Sequence, residues 1–475
     1  MPKIKLPMIK GDRESNYDYR SFLPVNLTAV SRNIKGYQGY LISHDGLKEF
    51  ANTGGVARGG TFNKKFEKHF RVSGDFLESV SPDGTITELG MVPGDGICSL
   101  AESFNTQAIL SDGKVYLWDN ATLRQITDPD LGFPIDMTQF RGIYVMTDGQ
   151  FLFHTDINNE FSISPLKYSS SEFSSDKILA VERIEQNKIV AFNRYSTEYF
   201  YFDPTVPSGT SVLRVIDGAS NNIGIVGTHC QTVLDGMFFI LGGRAEESPS
   251  IHILNSGQES TVATREIAKV LSKYTESELS KAYLESRTVD NDKFLIVHLP
   301  CETLLYNHTV AKVAGIDGAW SILDSNTDPS NTDKSYPWRA KFGVFDPRAA
   351  KWVYGDTLEN KLCYLDDKSA AQYGEQVESI CYTPIIPDLE TFSINSFEID
   401  TIAGFVSSDF SSSFSLSYDG VTHGKEYWNK ISAPDTYNKR YIARNLGYVR
   451  NDFSMKFRFV SGDKMAFSGL VVDYS

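Results

Sequence analysis

The sequence predicts an all-β chain: a β-propeller of six or seven blades with a small helical insertion, then an antiparallel β-sandwich-like C-terminal domain. Three observations predict it. Short apolar runs recur in pairs around Gly, Asp or Asn turns at intervals of about 35 to 55 residues, as propeller blades require. One stretch, Ser250 to Pro300, switches to helical periodicity between two strands. After Pro384-Ile385-Ile386-Pro387 the texture becomes period-2 alternation, the mark of half-buried strands.

Residues 1–35 hold prolines near the start, then Tyr17, Tyr19, Phe22, Leu23 and Pro24 in close succession. No period is present. The segment reads as an extended arm, lying on its own domain or on a neighbouring subunit.

The propeller is expected over 36–383. Its units are a strand, a tight turn and a strand. Ala108-Ile109-Leu110 and Val115-Tyr116-Leu117-Trp118 flank Ser111-Asp112-Gly113. Ile143 to Met146 and Phe151 to Phe153 flank Thr147-Asp148-Gly149. Lys188 to Phe192 pairs with Tyr199 to Phe202, Met237 to Leu241 with Ser250 to Leu254, and Phe294 to Leu299 with Leu304 to Tyr306. Phe76 to Val80 and Leu362 to Leu365 belong to the same series. A blade cannot bury both faces alone, so stacking around an axis is what covers them. Trp118-Asp119 and Gly242-Gly243 each occur once in this role, so neither a WD40 nor a kelch array is indicated.

The helical insertion is expected at about 263–285. Ile267, Val270, Leu271 and Tyr274 fall at i, i+3, i+4 and i+7, one face of a helix. Thr275 with Glu278 fits a capping box. A second helix should start there and carry Leu279, Ala282 and Tyr283 inward. The loop Asp324 to Asp333 spaces oxygen ligands at alternate positions. A calcium loop needs Gly where Pro329 stands and Glu where Ser335 stands, so a solvated loop is expected.

The C-terminal domain, 384–475, carries alternating strands at Ser396 to Ile402, Phe414 to Tyr418, Ser454 to Val460 and Ser468 to Val472. Its second half is basic, with Lys439, Arg440, Arg444, Arg450, Lys456 and Arg458. The face is either solvated or a contact for an acidic partner, with Arg440, Arg444 and Arg450 as candidates.

Composition sets limits on function. The 475 residues are 41 % apolar, enough for a large core, and carry a formal net charge of −14. Proteins that grip nucleic acid usually show a basic face; an acidic wall suits a conduit better than a clamp. The five cysteines include no C-x-x-C pair and read as buried thiols of a reducing cytosol. No signal peptide and no run of ~18 apolar residues is evident, so assembly in the cytoplasm without membrane insertion is expected.

Catalytic constellations are not found. Gly54 to Thr61 has glycines spaced like a phosphate loop, but Gly60 stands where lysine is needed. No G-x-S-x-G or H-E-x-x-H pattern occurs. His298 sits in an apolar strand and reads as a core histidine. His229 and Cys230 are adjacent, so a strand points them to opposite faces. No catalytic residue, metal or cofactor is expected. The competing reading is a propeller-type glycan hydrolase or glycan-binding module. Its only support is Ser417-Tyr418-Asp419-Gly420 with Trp428, a single Asp-box-like turn outside the propeller.

Several motifs in fixed order point elsewhere. They are Leu6-Pro7-Met8-Ile9-Lys10-Gly11, Asp18-Tyr19-Arg20-Ser21-Phe22-Leu23-Pro24-Val25-Asn26, and Ser256-Gly257-Gln258 with Ala263-Thr264. Tyr274 to Leu279, Ile296 to Pro300, Ser417 to Gly420 and Tyr437 to Arg440 complete them. In this order the chain resembles the packaged-DNA stabilisation protein of short-tailed phages, the tail hub or nozzle under the portal. The resemblance implies a virion tail protein forming a homo-hexameric ring beneath the portal-adaptor (head-completion) ring. Such a ring extends the channel for double-stranded DNA, retains packaged DNA without sequence-specific binding, and carries a plug or needle and fibres or spikes. Ring closure needs one patch to meet a different patch. The arm residues Tyr17, Tyr19, Phe22 and Leu23 and the helical residues Arg265, Lys269, Lys273 and Glu276 are the candidates for subunit or adaptor contacts.

Overall fold

The computed structural model describes residues 3–7, 23–34, 36–156, 159–184, 188–207, 209–255, 257–327, 336–383, 391–401, 410–418, 422–431, 441–449 and 453–475. Seven antiparallel sheets follow one another around an axis. Blade 1 spans 57–91, blade 2 99–125, blade 3 136–170, blade 4 178–215, blade 5 224–261 and blade 6 283–323. Blade 7 takes three strands from 340–366 and its outermost strand, Gly46–Asn52, from the other end of the propeller. Lys361 pairs with Asn52 and Asp366 with Gly46 across that seam. The ring is thereby closed by hydrogen bonds between distant parts of the chain.

Strands in the middle of a blade form where apolar residues run on without alternation. Ile143–Thr147, second in blade 3, is buried at all five positions because blades cover both its faces. Gln107–Ser111 and Thr303–Asn307 are likewise buried throughout. The outermost strand of blade 5, Gln258–Thr261, is exposed at every position. Each blade thus runs from an apolar interior to a polar rim.

The second module is a β-sandwich built from both chain ends. One sheet has the order Leu27–Ile34, Tyr37–Ser43, Ala466–Tyr474, Phe392–Thr401, Tyr441–Val449, with Lys3–Pro7 also paired to Ala466–Tyr474. The other is Val377–Tyr382, Ser454–Ser461, Phe410–Ser417, Tyr427–Ile431. Phe397 packs edge-on to Phe414 at 4.9 Å and to Phe457 at 5.6 Å between the sheets. The residues expected as an arm, 1–35, therefore include two sandwich strands, and the first propeller strand begins at Gly46. Leu27–Ile34 pairs locally with Tyr37–Ser43, but that hairpin and Lys3–Pro7 both join Ala466–Tyr474, more than 400 residues away, so nothing local marks the sandwich.

The two modules are joined by Pro24-Val25-Asn26. Val25 bridges Ile322 in the outermost strand of blade 6 and Ile380 in the sandwich. Beside this joint stands the helix His308–Ala314, which no apolar period announced. Asn307 caps it, its side chain accepting from the backbone N–H groups of Thr309 and Val310. The Asn307 amide also donates to Ala29 O at 3.0 Å, fixing blade 6 to the sandwich.

The helical insertion is the link from the rim of blade 5 to the axis of blade 6. Its helices are Arg265–Leu271 and Glu276–Leu279. Ile267, Val270, Leu271 and Leu279 are buried, and the Thr275–Glu278 capping box is formed on both sides. The second helix is shorter than the sequence suggests. It ends at Leu279, Ala282 is buried in the turn beyond it, and Tyr283 already begins the inner strand of blade 6.

Candidate functional site

Every blade boundary carries side-chain hydrogen bonds, and buried polar residues take part in them. Between blades 1 and 2, Asn63 Nδ2 donates to Gln107 Oε1 at 3.1 Å and Arg58 Nη2 to Ser111 Oγ. Between blades 2 and 3, Ser103 Oγ and Thr106 Oγ1 donate to the Glu160 carboxylate. Between blades 3 and 4, Thr138 Oγ1 donates to Glu182 Oε1 at 3.1 Å. Thr197 Oγ1 donates to Ile223 O at 2.6 Å, and Trp320 Nε1 to Val262 O at 2.9 Å. Gly343 N–H of blade 7 donates to Glu285 Oε2 of blade 6 at 2.8 Å. Buried polar groups with partners fix relative placement, whereas apolar faces alone can slide.

The boundary between blades 7 and 1 is the most charged. Arg71 is fully buried and donates to Phe342 O and Val353 O, both at 2.5 Å, and to His69 Nε2 at 2.9 Å. His69 Nδ1 lies 3.4 Å from Asp346 Oδ2, and Arg348 pairs with the same carboxylate at 2.7 Å. Arg348 reaches back to Glu67 O and Val80 O of blade 1. Burial alone would raise the Asp346 pKa, but its hydrogen bonds from His69 and Arg348 hold it below the carboxylate range. Burial pushes His69 down to about 4, so it is neutral.

A cavity of ≈ 740 Å³ lies on the propeller axis, walled by inner strands of blades 1 to 6. Asp136 and Glu182 reach its wall. Asp136 Oδ1 accepts from Ser99 Oγ at 2.7 Å and Oδ2 from Val181 N–H at 2.9 Å, tying blade 3 to both neighbours. Burial pushes its pKa up to about 7 and also raises that of Glu182. His229 is pushed down to about 4 by burial, with Lys341 adding to the effect. These carboxyls act as ties between blades. Among the described residues no group of three or more His, Cys, Asp or Glu is placed to hold a metal ion.

The expected contact residues are scattered. Tyr17, Tyr19, Phe22, Arg440 and Arg450 lie outside the described residues. Leu23 is buried in the core shared by propeller and sandwich. Arg265 and Lys269 are exposed on the first inserted helix. Lys273 is exposed and paired with Glu302 at 2.7 Å, and Glu276 is paired with Arg194 of blade 4 at 2.7 Å. These two residues hold the insertion onto the propeller. Arg444 is exposed on the last strand of its sheet.

The sequence reading missed the residues that join the modules. Asn26 sits at φ 52°, donates through Nδ2 to Glu378 O at 2.8 Å and accepts Asp324 N–H at 2.9 Å. His44 accepts or donates at Thr28 Oγ1 (2.9 Å) and lies 3.4 Å from Arg287 Nη2 of blade 6. Burial, helped by Arg287, lowers its pKa to about 3. Lys464 pairs with Asp45 next door. The one signal available was Asn26 itself, since asparagine tolerates left-handed backbone.

Comparison with known proteins matches both modules. A family model described as bacteriophage P22 Gp10, beta-propeller, covers residues 4–370, and one described as bacteriophage P22 Gp10, beta-sandwich, covers 378–475. The tail hub protein gp10 of Salmonella phage P22 is 27 % identical over 498 residues, covering 99 % of each chain. Among solved structures, the Neurospora crassa Pan2 WD40 domain aligns with TM-score 0.41 and 10 % identity over 68 % of this chain and 97 % of that one. Virginiamycin B lyase from Staphylococcus aureus aligns with TM-score 0.43 and 11 % identity over 69 % and 99 %. Those two likenesses add nothing to the assignment. Matched in both modules and along almost its whole length, the chain belongs to the bacteriophage P22 Gp10 family, the tail-hub proteins of short-tailed phages.

Proposed function

We propose that this structural tail protein forms a homo-hexameric ring below the portal and its adaptor ring. The ring extends the DNA channel, retains packaged DNA, and anchors the plug or needle and the fibres or spikes. It acts sterically and electrostatically, without catalysis, and is assembled in the host cytoplasm before joining the virion. The observation that carries this reading is the family match to both modules, propeller and sandwich. The tied blade boundaries support it, because a part that contains pressurised DNA must resist shear. The acidic balance supports free passage of DNA past the wall. The exposed helical residues Arg265 and Lys269, and Arg444, are proposed as contact points for neighbours.

Electron microscopy of the purified protein, alone and mixed with its portal complex, tests the reading. A six-fold ring seated under the adaptor is expected. Monomers that never join the portal complex would falsify it.

A further inference from the structure

Two exposed surfaces on opposite sides of the molecule complement each other. The first is the far side of the sandwich. Strands Tyr427–Ile431 and Tyr441–Val449 end their sheets, at the opposite end from Val377–Tyr382 and Leu27–Ile34, which touch the propeller. Tyr418, Tyr427, Trp428 and Tyr448 are there, between 47 % and 55 % exposed. Tyr427 stacks on buried Phe414 at 5.3 Å, and the Tyr418 hydroxyl donates to Leu446 O at 3.3 Å, linking the two sheets. Trp428 points to the opposite face of its strand from Tyr427, whereas Tyr418 and Tyr448 lie on or against the same strand, Tyr441–Val449, and are half exposed. Arg444 is exposed, shares the outward side of its strand with Tyr448, and forms no ion pair among the described residues.

The second surface is on blades 1 to 3, at the end where the chain crosses from blade to blade. Phe133 is 65 % exposed. It lies against the Asp112-Gly113 turn so closely that a Cβ on Gly113 would stand 2.3 Å from its ring. Asp75, Asp95, Asp112 and Asp148 are exposed on turns and links at the same end. None is in an ion pair among the described residues. Residues 46–177 contain 18 Asp and Glu against 11 Lys and Arg, whereas 439–450 contain four basic residues and no acidic one; Arg458, further on, is buried and already paired with Glu378 and Glu426.

We propose that Tyr418, Tyr448 and Arg444 of one copy dock on the Phe133 patch and its aspartates in the next copy. The proposal rests on the ring reading above and names the surfaces that would close it. Blades 2 and 3 lie across the disc from blades 6 and 7, which hold the sandwich. The contact is therefore head-to-tail between unlike patches, the kind that propagates around a ring. Aromatic rings and arginine are the side chains that dominate such interfaces. Opposite charge steers the encounter and fixes its register. The occupant is a second copy because the complement to each surface is present on the same chain.

The test uses the full chain in analytical ultracentrifugation, alone and with its portal complex. Phe133→Ala and Arg444→Glu are both at exposed positions and should leave the circular dichroism unchanged. Each is expected to weaken self-association by about tenfold or more. In a Cys301→Ser background, Phe133→Cys with Tyr448→Cys is expected to give dimers and higher ladders with a short bismaleimide. Rings that form undiminished in both single variants, or that yield no cross-link, overturn the proposed surfaces and leave the ring reading standing. A wild-type chain that stays monomeric beside its portal complex overturns both. Saccharide binding that depends on Trp428, with assembly unaffected by Arg444→Glu, overturns the proposal in favour of a glycan surface.

Discussion

Val25 and Ile380 are joined by a reciprocal pair of backbone hydrogen bonds, Val25 N–H to Ile380 O at 2.9 Å and Ile380 N–H to Val25 O at 3.1 Å. On the other side, Asn26 N–H donates to Ile322 O and Ile322 N–H to Pro24 O, both at 2.8 Å. Three residues thus splice the sheet of blade 6 to a sheet of the sandwich. The ladder runs without a break from Tyr283–Val289 at the propeller axis to Tyr427–Ile431 at the far side of the sandwich. A swinging linker would let the modules move apart under load; a shared sheet does not. The consequences can be tested residue by residue.

Asn26→Ala is expected to destabilise the protein by about 2–4 kcal/mol, because it orphans the Glu378 carbonyl and the Asp324 N–H in a buried joint. It also places a Cβ-bearing residue that disfavours left-handed backbone at φ 52°. Asn26→Gly should lose the hydrogen bonds and keep the backbone, so its cost should be smaller. Urea unfolding followed by tryptophan fluorescence measures both.

Arg71→Met is expected to cost about 3–5 kcal/mol, since two buried carbonyls lose their donor at once. The damage should appear at the seam it braces. Hydrogen exchange should rise in Lys361–Asp366 and Gly46–Asn52, the strands that close blade 7. Exchange in blades 3 and 4, across the ring, should change least.

Asp136 and His44 should give pH dependences of opposite sign. The Asp136 pKa is raised from 3.8 to about 7 on folding, so the folded state binds its proton more tightly. Its contribution is full below pH 3.8 and declines as pH rises towards 7. His44 is lowered from 6.5 to about 3, so its contribution is full above pH 6.5 and declines as pH falls towards 3. Denaturation midpoints between pH 4 and 6.5 should therefore slope less steeply upward with pH in His44→Gln than in the wild type. In Asp136→Asn the upward slope should steepen, because the opposing term is gone. Unchanged slopes in both variants would contradict the assignment.

Much of the propeller was legible because its code is local. Ser111-Asp112-Gly113 and Thr147-Asp148-Gly149 announce hairpins through turn residues that suit the required backbone, and Asp112 indeed has φ 45°. The helical insertion was legible for the same reason, through the Thr275–Glu278 box. What stayed hidden depends on pairing over long distance. Nothing in Gly46–Asn52 shows that it belongs to a strand near Lys361, and nothing in Leu27–Ile34 shows that it joins the C-terminal strands. The helix at His308 was hidden because only His308 and Val310 are buried, too few to set a period. The contact residues were the hardest to place. Lys273 and Glu276 look free as exposed charges in a sequence, and only coordinates reveal Glu302 and Arg194 beside them.

Gly227 divides the inner strand of blade 5 into Gly224–Ile225 and Gln231–Leu234. A Cβ there would stand 2.0 Å from the Ser280 carbonyl oxygen and 2.8 Å from its Cα. Those atoms are backbone and cannot swing aside. They leave the second inserted helix where the chain turns down to the axis, and Leu284 N–H donates to His229 O at 3.0 Å just beyond. Gly227→Ala should therefore push the insertion off the propeller, at a cost of about 1–3 kcal/mol. Proteolysis between Arg265 and Lys281 should quicken in the variant. Gly236→Ala is the control: at φ 72° with nothing within 4 Å of the added carbon, it pays only backbone strain of about 1–2 kcal/mol. Equal loss of stability in the two, with the insertion still protected in Gly227→Ala, would mean that close approach to Ser280 is not what the glycine provides.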